Sequence, residues 1–500
     1  VPPLELLLVL LAVTAGLEVL ARTLKLPLPA LLVTAGLALA LIIALIPGFP
    51  TLTLDPGTVF LIFIPPLLYW TALTSSMRDF KRYLASITLL AVGLVLATIF
   101  AVAAVAHALI PELSWPAAFV LGAIISPPDP IAAIAVTRHL PIPKPVVTIL
   151  EGEGLVNDAT ALVAYRMAAA AAVSGSFSLK EATLRFFLAG FGGVAIGLVV
   201  GVLIAWVRGR VGRAPTVEAT ISLLTPYIAF IPAERLGTSG VLAVVAVGLY
   251  LGRRGPKIVS AQSRLQSTYM WRMITFLLEG LIFLLVGIEL PLAFNDLGNH
   301  TFLELLLFAG LVSATAIVVR LLWVYPGAFL ARFIRNPRCD RQPMPPWQNI
   351  FFLGWAGIRG GDSLVIALSL PLALPGRPII IYLTFVVIVV TLVVLGLSLA
   401  PLVRGLGLKG DDEDDKEESL ARKQLFAAAR GALEASRSGA AGFVRSALDV
   451  VSAQRTELIR LRDEDTIGDD VLRKLQHELD LEEVLLESRP TAGVQPGKKP

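Results

Sequence analysis

The chain has 500 residues, 56% of them hydrophobic and 16% charged, with a mean hydropathy of +0.77. Soluble domains carry about 25% charged residues, so a soluble globular enzyme is excluded. The net charge of +4 and pI near 9.2 would raise nucleic acid as a partner in a soluble protein. Here apolar runs of spanning length recur through residues 1–410, which assigns the basic charge to loops facing a lipid bilayer and leaves no nucleic-acid partner expected. A single cysteine, Cys339, and four histidines exclude a disulfide framework and leave little for a transition-metal site, so no cofactor is expected.

A spanning helix needs about 20 mainly apolar residues. Thirteen segments meet that test: residues 4–21, 28–46, 58–76, 84–110, 115–137, 146–171, 184–207, 217–234, 238–252, 266–290, 301–330, 348–374 and 378–403. No basic n-region precedes the first, which reads as a span rather than a cleaved signal. Lys and Arg in the short connections set the orientation. One set of alternate loops carries Arg22, Lys25, Arg78, Lys81, Arg82, Arg138, Lys144, Arg208, Arg210, Arg213, Arg253, Arg254, Lys257, Arg264, Arg332, Arg335, Arg338 and Arg341. The other set carries only Lys180, Arg185, Arg235 and Arg377. Eighteen against four places the amino terminus outside and the carboxyl-terminal tail in the cytoplasm.

Thirteen spans divide into two six-helix halves joined by one linking helix, and the odd helix inverts the second half relative to the first. That is the arithmetic of an inverted-repeat transporter. Span 5 then corresponds to span 12, and both are interrupted. Span 5 contains Pro127, Pro128 and Pro130 (SPPDP), and span 12 contains Gly357, Gly360 and Gly361 (GIRGG). Interrupted spans at matching positions point to a binding site near the membrane midplane.

A charge inside a span costs at least about 2.5–3.5 kcal/mol, so it marks function or a buried pair. Span 5 holds Asp129. Span 6 reads ILEGEGLVNDATALV and holds Glu151, Glu153, Asn157 and Asp158, with Glu153 and Asn157 on one face and Asp158 turned about 100° from Asn157. Span 12 adds Arg359 and Asp362. Arg320 in span 11 and Glu279 in span 10 read first as helix–helix ion pairs or hydrogen-bond anchors. Arg166 and Arg272, near span ends, read as snorkelling side chains, and Glu5 and Glu18 as interfacial. Asp158 and Asp129 are the functional candidates. Carboxylates, an Asn carbonyl and backbone carbonyls freed at a helix break suit a small hard cation such as Na+. Burial favours the protonated carboxyl and a bound cation favours the ionised one, so a single carboxylate can carry either. No GxxxxGK[ST] phosphate loop suggests pumping by ATP.

LIFIPPLLYW (61–70), SPPDP (126–130), EGEGLVNDATALV (151–163), TPYIAFIPAERLGTSGVLAVVAVGL (225–249), VRLLWVYPGAF (319–329) and GWAGIRGGDSL (354–364) resemble the bacterial monovalent cation:proton antiporters of the sodium/proton exchanger family, over residues 4–410. The resemblance implies an inverted-repeat fold in which spans 4–6 and 11–13 form an ion-carrying core. Spans 1–3 and 8–10 then form a dimerisation scaffold against which the core moves. It implies Asp158 as the ion- and proton-binding carboxylate and Asp129 as its neighbour across the span 5 break. Asn157 stands where electrogenic relatives carry a second Asp, which resembles the electroneutral, one-for-one branch. Glu153 and Arg359 match the family's buried ion pair. Pro128 and Gly154 stand where relatives often supply hydroxyl ligands, and Trp70 and Thr71 where they often carry an acid. Asp362 stands where a small apolar residue is more usual and is a rival partner for Arg359. Thr71, Glu151, Asp362, Arg320 and Glu279 complete the candidate site residues.

Beyond Pro401 the composition changes. Residues 411–418, DDEDDKEE, read as a solvated acidic linker. The segments VRSALDVVSAQRTELIRLRDED and DDVLRKLQHELDLEEVLLE then carry helical apolar stripes, including Val444, Leu448, Val451, Leu458 and Leu461. The expectation is an all-α polytopic protein of a bacterial inner membrane, homodimeric, with a helical cytoplasmic tail, exchanging Na+, with Li+ or K+ as further substrates, for H+. Potassium/proton exchange is the nearest alternative. An intramembrane aspartyl protease, from GIRGGD with Asp362 and a second acid, is an alternative from another class.

Overall fold

The computed structural model describes residues 3–24, 28–45, 56–137, 140–175, 179–211, 214–289, 297, 300–334, 345–371, 373–410, 413–436 and 443–488. Lys25, Arg138, Arg213, Arg335, Arg338, Cys339, Arg341 and the tail end 491–500 lie outside them. All regular structure among the described residues is helical. The chain begins with α1 (Pro3–Leu24), α2 (Leu28–Ala44), α3 (Pro56–Thr74), the short α4 (Met77–Arg82) and α5 (Leu84–Thr88). A π-helical stretch, Leu89–Leu94, carries α5 into α6 (Val95–Leu109). After α7 (Trp115–Ile125) the helix breaks and restarts as α8 (Pro130–Thr137). Next come α9 (Lys144–Ser174), α10 (Leu179–Val211), α11 (Pro215–Arg235), α12 (Gly240–Ile258), α13 (Ala261–Glu289) and α14 (Phe302–Ile334). A second broken pair, α15 (Trp347–Trp355) and α16 (Gly361–Leu368), precedes α17 (Arg377–Val390). A π-helical stretch, Thr391–Gly396, joins α17 to α18 (Leu397–Leu406). The tail supplies α19 (Glu413–Ser436), α20 (Phe443–Asp463) and α21 (Asp469–Ser488).

Among the described residues six helices are long and apolar enough to cross a membrane: Leu84–Leu109, Thr183–Val211, Pro215–Arg235, Ala261–Ile288, Phe302–Phe333 and Arg377–Leu406. Shorter apolar helices cover Leu28–Ile42, Phe60–Thr74 and Trp115–Ile125. At 31 residues α9 has the length, but Glu151, Glu153 and Asp158 interrupt its apolar run. The segments read as spans 5 and 12 are each two half-helices, which the prolines and glycines require.

Packing sorts these helices into two bundles. One joins α1, α2, α3 and α10–α13, and the other joins α5–α9 with α14–α18. Close crossings need small residues. A Cβ at Gly36 of α2 would lie 2.2 Å from the Leu284 carbonyl oxygen of α13, and one at Gly287 would lie 2.2 Å from that of Val33. The tail has its own core of Ala421, Leu425, Val451, Leu458, Leu461, Ile467, Val471, Leu472, Leu475, Leu479 and Leu486. One sequence expectation fails here: the acidic stretch read as a solvated linker becomes helical at Glu413. Its Glu413, Asp414 and Asp415 fill the first turn of α19, where the helix dipole favours negative charge. Asp414 and Glu417 also find cationic partners at Lys144 and Arg78, at 2.6 and 2.9 Å.

Candidate functional site

The two broken helices meet at their breaks. The Asp129 N–H donates to the Ile358 carbonyl at 2.7 Å, tying one break to the other. A Cβ on Gly360 would lie 1.8 Å from Asp129 Oδ2, so this carboxylate rests on a backbone that only glycine leaves open. Asp129 Oδ1 in turn accepts from the Ala132 N–H at 3.2 Å, capping the start of α8. The site therefore joins two helix amino ends, those of α8 and α16, to the two carboxyl ends of α7 and α15.

Arg359 serves those carboxyl ends. Its Nε donates to the Ile125 carbonyl at 2.6 Å, its Nη1 to that of Gly357 at 2.8 Å, and its backbone N–H to Thr391 Oγ1 at 3.0 Å. A buried cation here satisfies carbonyls that lost helical donors at the breaks and complements the negative helix ends. Glu153 is not its ion-pair partner. Arg320 of α14 grips Glu153 in a two-pronged pair, Nη1–Oε1 at 2.5 Å and Nη2–Oε2 at 2.8 Å, with both side chains 1% exposed. Arg320 also donates to the Leu353 carbonyl, at 3.3 Å from Nε and 3.1 Å from Nη2. The expected Glu153–Arg359 pair is thereby corrected. Arg359 sits in a break with carbonyls to satisfy, and the helix-borne Arg320 reaches the carboxylate first. The rival pairing of Arg359 with Asp362 is not formed either, because the Arg359 guanidinium is taken up by the Ile125 and Gly357 carbonyls.

On α9, Asn157 is fully buried and its Nδ2 donates to the Pro128 carbonyl at 3.0 Å, locking this helix to the first break. Its Oδ1 is buried without a hydrogen-bond partner, as is Ser363 Oγ on α16. Gly154 fits the same contact, because a Cβ there would lie 2.2 Å from Pro130 Cγ. A hydroxyl-bearing side chain therefore has no room. Asp158 is 8% exposed and interacts electrostatically with Asp129 and Asp362. Glu279 of α13, in the opposite bundle, interacts with the same two acids. Asp129, Asp158, Asp362 and Glu279 thus share one electrostatic neighbourhood. Among the described residues no Lys, Arg or His forms an ion pair with Asp158, Asp362 or Glu279.

Other candidates lie elsewhere. The Thr71 hydroxyl donates to the Leu67 carbonyl within α3. Glu151 lines a small cavity with Ser75, Ser76, Thr148 and the tail's Asp470, toward the Lys144 end of α9. Arg166, assigned no role from sequence, pairs with Glu234 at 2.6 Å. Sequence reasoning passed over Thr391, whose hydroxyl is presented by a π-helical stretch that leaves no composition signal. It also passed over Gly360 as the seat of Asp129, although its place in a glycine-rich break was a usable signal.

The family described as sodium/hydrogen exchanger, transmembrane, matches residues 9–405. An uncharacterized Na(+)/H(+) exchanger of Mycobacterium tuberculosis is 34% identical over 92% of this chain and 91% of its own length. A sodium, potassium, lithium and rubidium/H(+) antiporter of Bacillus pumilus is 33% identical over 86% of this chain and 65% of its own. The solved structure of a sodium proton antiporter from Methanocaldococcus jannaschii superposes with a TM-score of 0.63 at 19% identity, covering 81% of this chain and 98% of that one, which establishes a shared fold. The protease alternative falls with these matches: the chain belongs to the sodium/hydrogen exchanger family and is a multi-pass membrane transporter, not an enzyme.

Proposed function

We propose that the chain exchanges cytoplasmic Na+ for external H+, one for one, with Li+ and K+ competing for the same site. The observation that carries this reading is the meeting of Asp158, Asp129 and the unpartnered Asn157 oxygen at two crossed helix breaks. A cation there would take carboxylate oxygens from Asp158 and Asp129, the Asn157 amide oxygen and carbonyls freed by the breaks, such as that of Pro128. A proton on Asp158 would displace it, so each ion excludes the other. Asn157 contributes an oxygen without a charge, which supports one-for-one exchange. The substrates named for the Bacillus relative support a site that accepts several alkali cations.

The reading includes thirteen spans in two inverted halves, alternating access by movement between the two bundles, and a homodimer in a bacterial plasma membrane. Orientation with the tail in the cytoplasm has independent support. The tail contacts Arg78, Lys144, Lys257 and Arg264, all from the cation-rich loops. Glu112 and His300, from two loops of the other set, pair with each other at 3.1 Å.

The test uses proteoliposomes with an imposed pH gradient, to which Na+, Li+ or K+ is added with the membrane potential clamped or free. Wild-type protein should dissipate the gradient on cation addition at a rate independent of potential, and Asp158→Asn should abolish this while the protein remains folded. Dissipation by none of the cations would overturn antiport, dependence on potential the one-for-one ratio, and an active Asp158→Asn the site.

A further inference from the structure

Helix α21 touches both bundles at once. Near its start, Asp470 lies 3.3 Å from Lys144 Nζ, at the first residue of α9, the helix that carries Asp158. Its neighbour Asp469 accepts from Ser76 Oγ at 3.2 Å and from the Met77 N–H at 3.0 Å, capping α4. Ten residues on, Asp480 takes both Nε and Nη2 of Arg264 at the start of α13, in the other bundle. Ten helical residues span about 15 Å, so a single stiff element bridges the two bundles.

Neighbouring contacts repeat this division. Asp414 reaches Lys144 at 2.6 Å and Glu417 reaches Arg78 at 2.9 Å, on the side of the Asp158 bundle. Asp463 meets Lys257 at 2.6 Å, and Arg462, 2% exposed, donates to the Arg253 carbonyl at 3.1 Å, on the side of the other. The bridge is held straight from within, because Val471, Leu472, Leu475 and Leu479 are buried in the tail's own core. Asp480 is also gripped by Arg455 of α20, at 2.9 Å.

We propose that the tail is a strut that holds the two bundles in one relative position, and that each exchange cycle requires it to let go of the Lys144 end or the Arg264 end. The proposal rests on alternating access by relative movement of the bundles. Glu151, seven residues and thus two turns from Asp158 on one face of α9, shares its cavity with Asp470, so the strut also stands at the cytoplasmic approach to the site.

The test uses the full chain with Cys339→Ser as background. A short bis-methanethiosulfonate reagent joins Lys144→Cys to Asp470→Cys, and so α21 to α9, and joins Arg264→Cys to Asp480→Cys, and so α21 to α13, because residues that meet only through the ends of long side chains stand too far apart for a direct disulfide. With both cross-links formed, Na+-driven gradient dissipation should fall at least tenfold and return on reduction, which cleaves the reagent from the cysteines. A doubly locked protein that exchanges at its reduced rate would overturn the strut. Loosening should act oppositely: Asp414→Asn with Asp470→Asn should raise turnover about threefold at unchanged KM for Na+, the worth of one half-exposed ion pair. Unchanged turnover in a folded variant would also count against the proposal. Spin labels at Lys81→Cys and Gln266→Cys give a readout that needs no transport: one narrow distance in the parent and a broadened distribution in the loosened variant. If wild-type protein dissipates no gradient, the antiport reading fails by itself, and identical label distances would then overturn the strut separately.

Discussion

At the residue scale, one ion pair and one guanidinium separate what holds the site from what works in it. Glu153 and Arg320 are both 1% exposed and satisfy each other through two hydrogen bonds, so neither is free to bind a transported ion. Replacing a buried pair wholesale can be neutral, but removing one partner strands the other and costs about 3–5 kcal/mol. Glu153→Gln should therefore lower the midpoint of thermal unfolding in detergent markedly. The swap Glu153→Arg with Arg320→Glu should recover most of that loss, whereas Glu153→Arg with Arg359→Glu should not. Recovery by the Arg359 swap would reinstate the pairing expected from sequence. That pairing was a reasonable expectation, since GWAGIRGG carries an arginine beside the carboxylate cluster in almost any folding of the chain. The choice between two buried arginines depends on which carbonyls each must also satisfy, and the sequence contains no sign of that. Asp158, Asp129 and Asn157 were legible because a carboxylate within a broken or polar span is costly enough to need a reason.

At the scale of elements, the breaks were legible and their embrace was not. Pro127, Pro128 and Pro130 remove backbone donors, and Gly357, Gly360 and Gly361 lower helix propensity, so both interruptions could be placed to within a turn. That Asp129 would lie on Gly360 follows only from how two half-helices cross. The crossing yields opposite expectations for adjacent glycines. Gly360→Ala would drive a methyl into Oδ2 of Asp129, a carboxylate whose other oxygen, Oδ1, is held by the Ala132 N–H, and should weaken Na+-dependent exchange with little repair available nearby. Gly361→Ala would strike Ile282 Cγ2 on α13, across the boundary between the bundles, an overpacking worth about 1–3 kcal/mol. Adding Ile282→Ala should relieve the second variant and leave the first unrepaired, as read by thermal stability and by the Na+ concentration giving half-maximal exchange. If Ile282→Ala rescued both, the contact between Asp129 and Gly360 would not be what makes Gly360 necessary.

At the scale of the molecule, charge is partitioned. Residues 411–500 carry a net charge of −6 and the remainder +10, so the overall +4 conceals two parts of opposite sign that attract. The acidic stretch at 411–418 reads as solvated because its cationic partners, Lys144 and Arg78, lie hundreds of residues away in sequence. The two ends of the tail's attachment differ in shielding from water. At one, Lys144, Asp414 and Asp470 have side chains 18%, 41% and 47% exposed; at the other, Arg264 and Asp480 are 16% and 3% exposed. Burial pushes the Asp470 carboxyl up, but Arg473 and Lys144 outweigh it and hold it below the usual aspartate range. Its contribution to docking is therefore present above the unfolded value near 3.9 and is lost only as pH falls through the depressed one. Burial pulls Lys144 down, but its hydrogen bond to Asp414 and the charges of Asp470 and Asp79 outweigh that and raise it. Its contribution is complete below about 10.4 and is lost as pH rises through the raised value. The pairing of Lys144 with Asp470 and Asp414 should therefore be flat between roughly pH 5 and 10. Salt should act where pH does not, because the Debye length falls from about 8 Å at physiological ionic strength to about 3 Å at 1 M, and exposed pairs are screened before buried ones. In hydrogen exchange at rising NaCl, amides at the start of α21, near Asp470, should lose protection before those around Asp480. Simultaneous release of both ends in salt would show that attachment does not rest on these ion pairs.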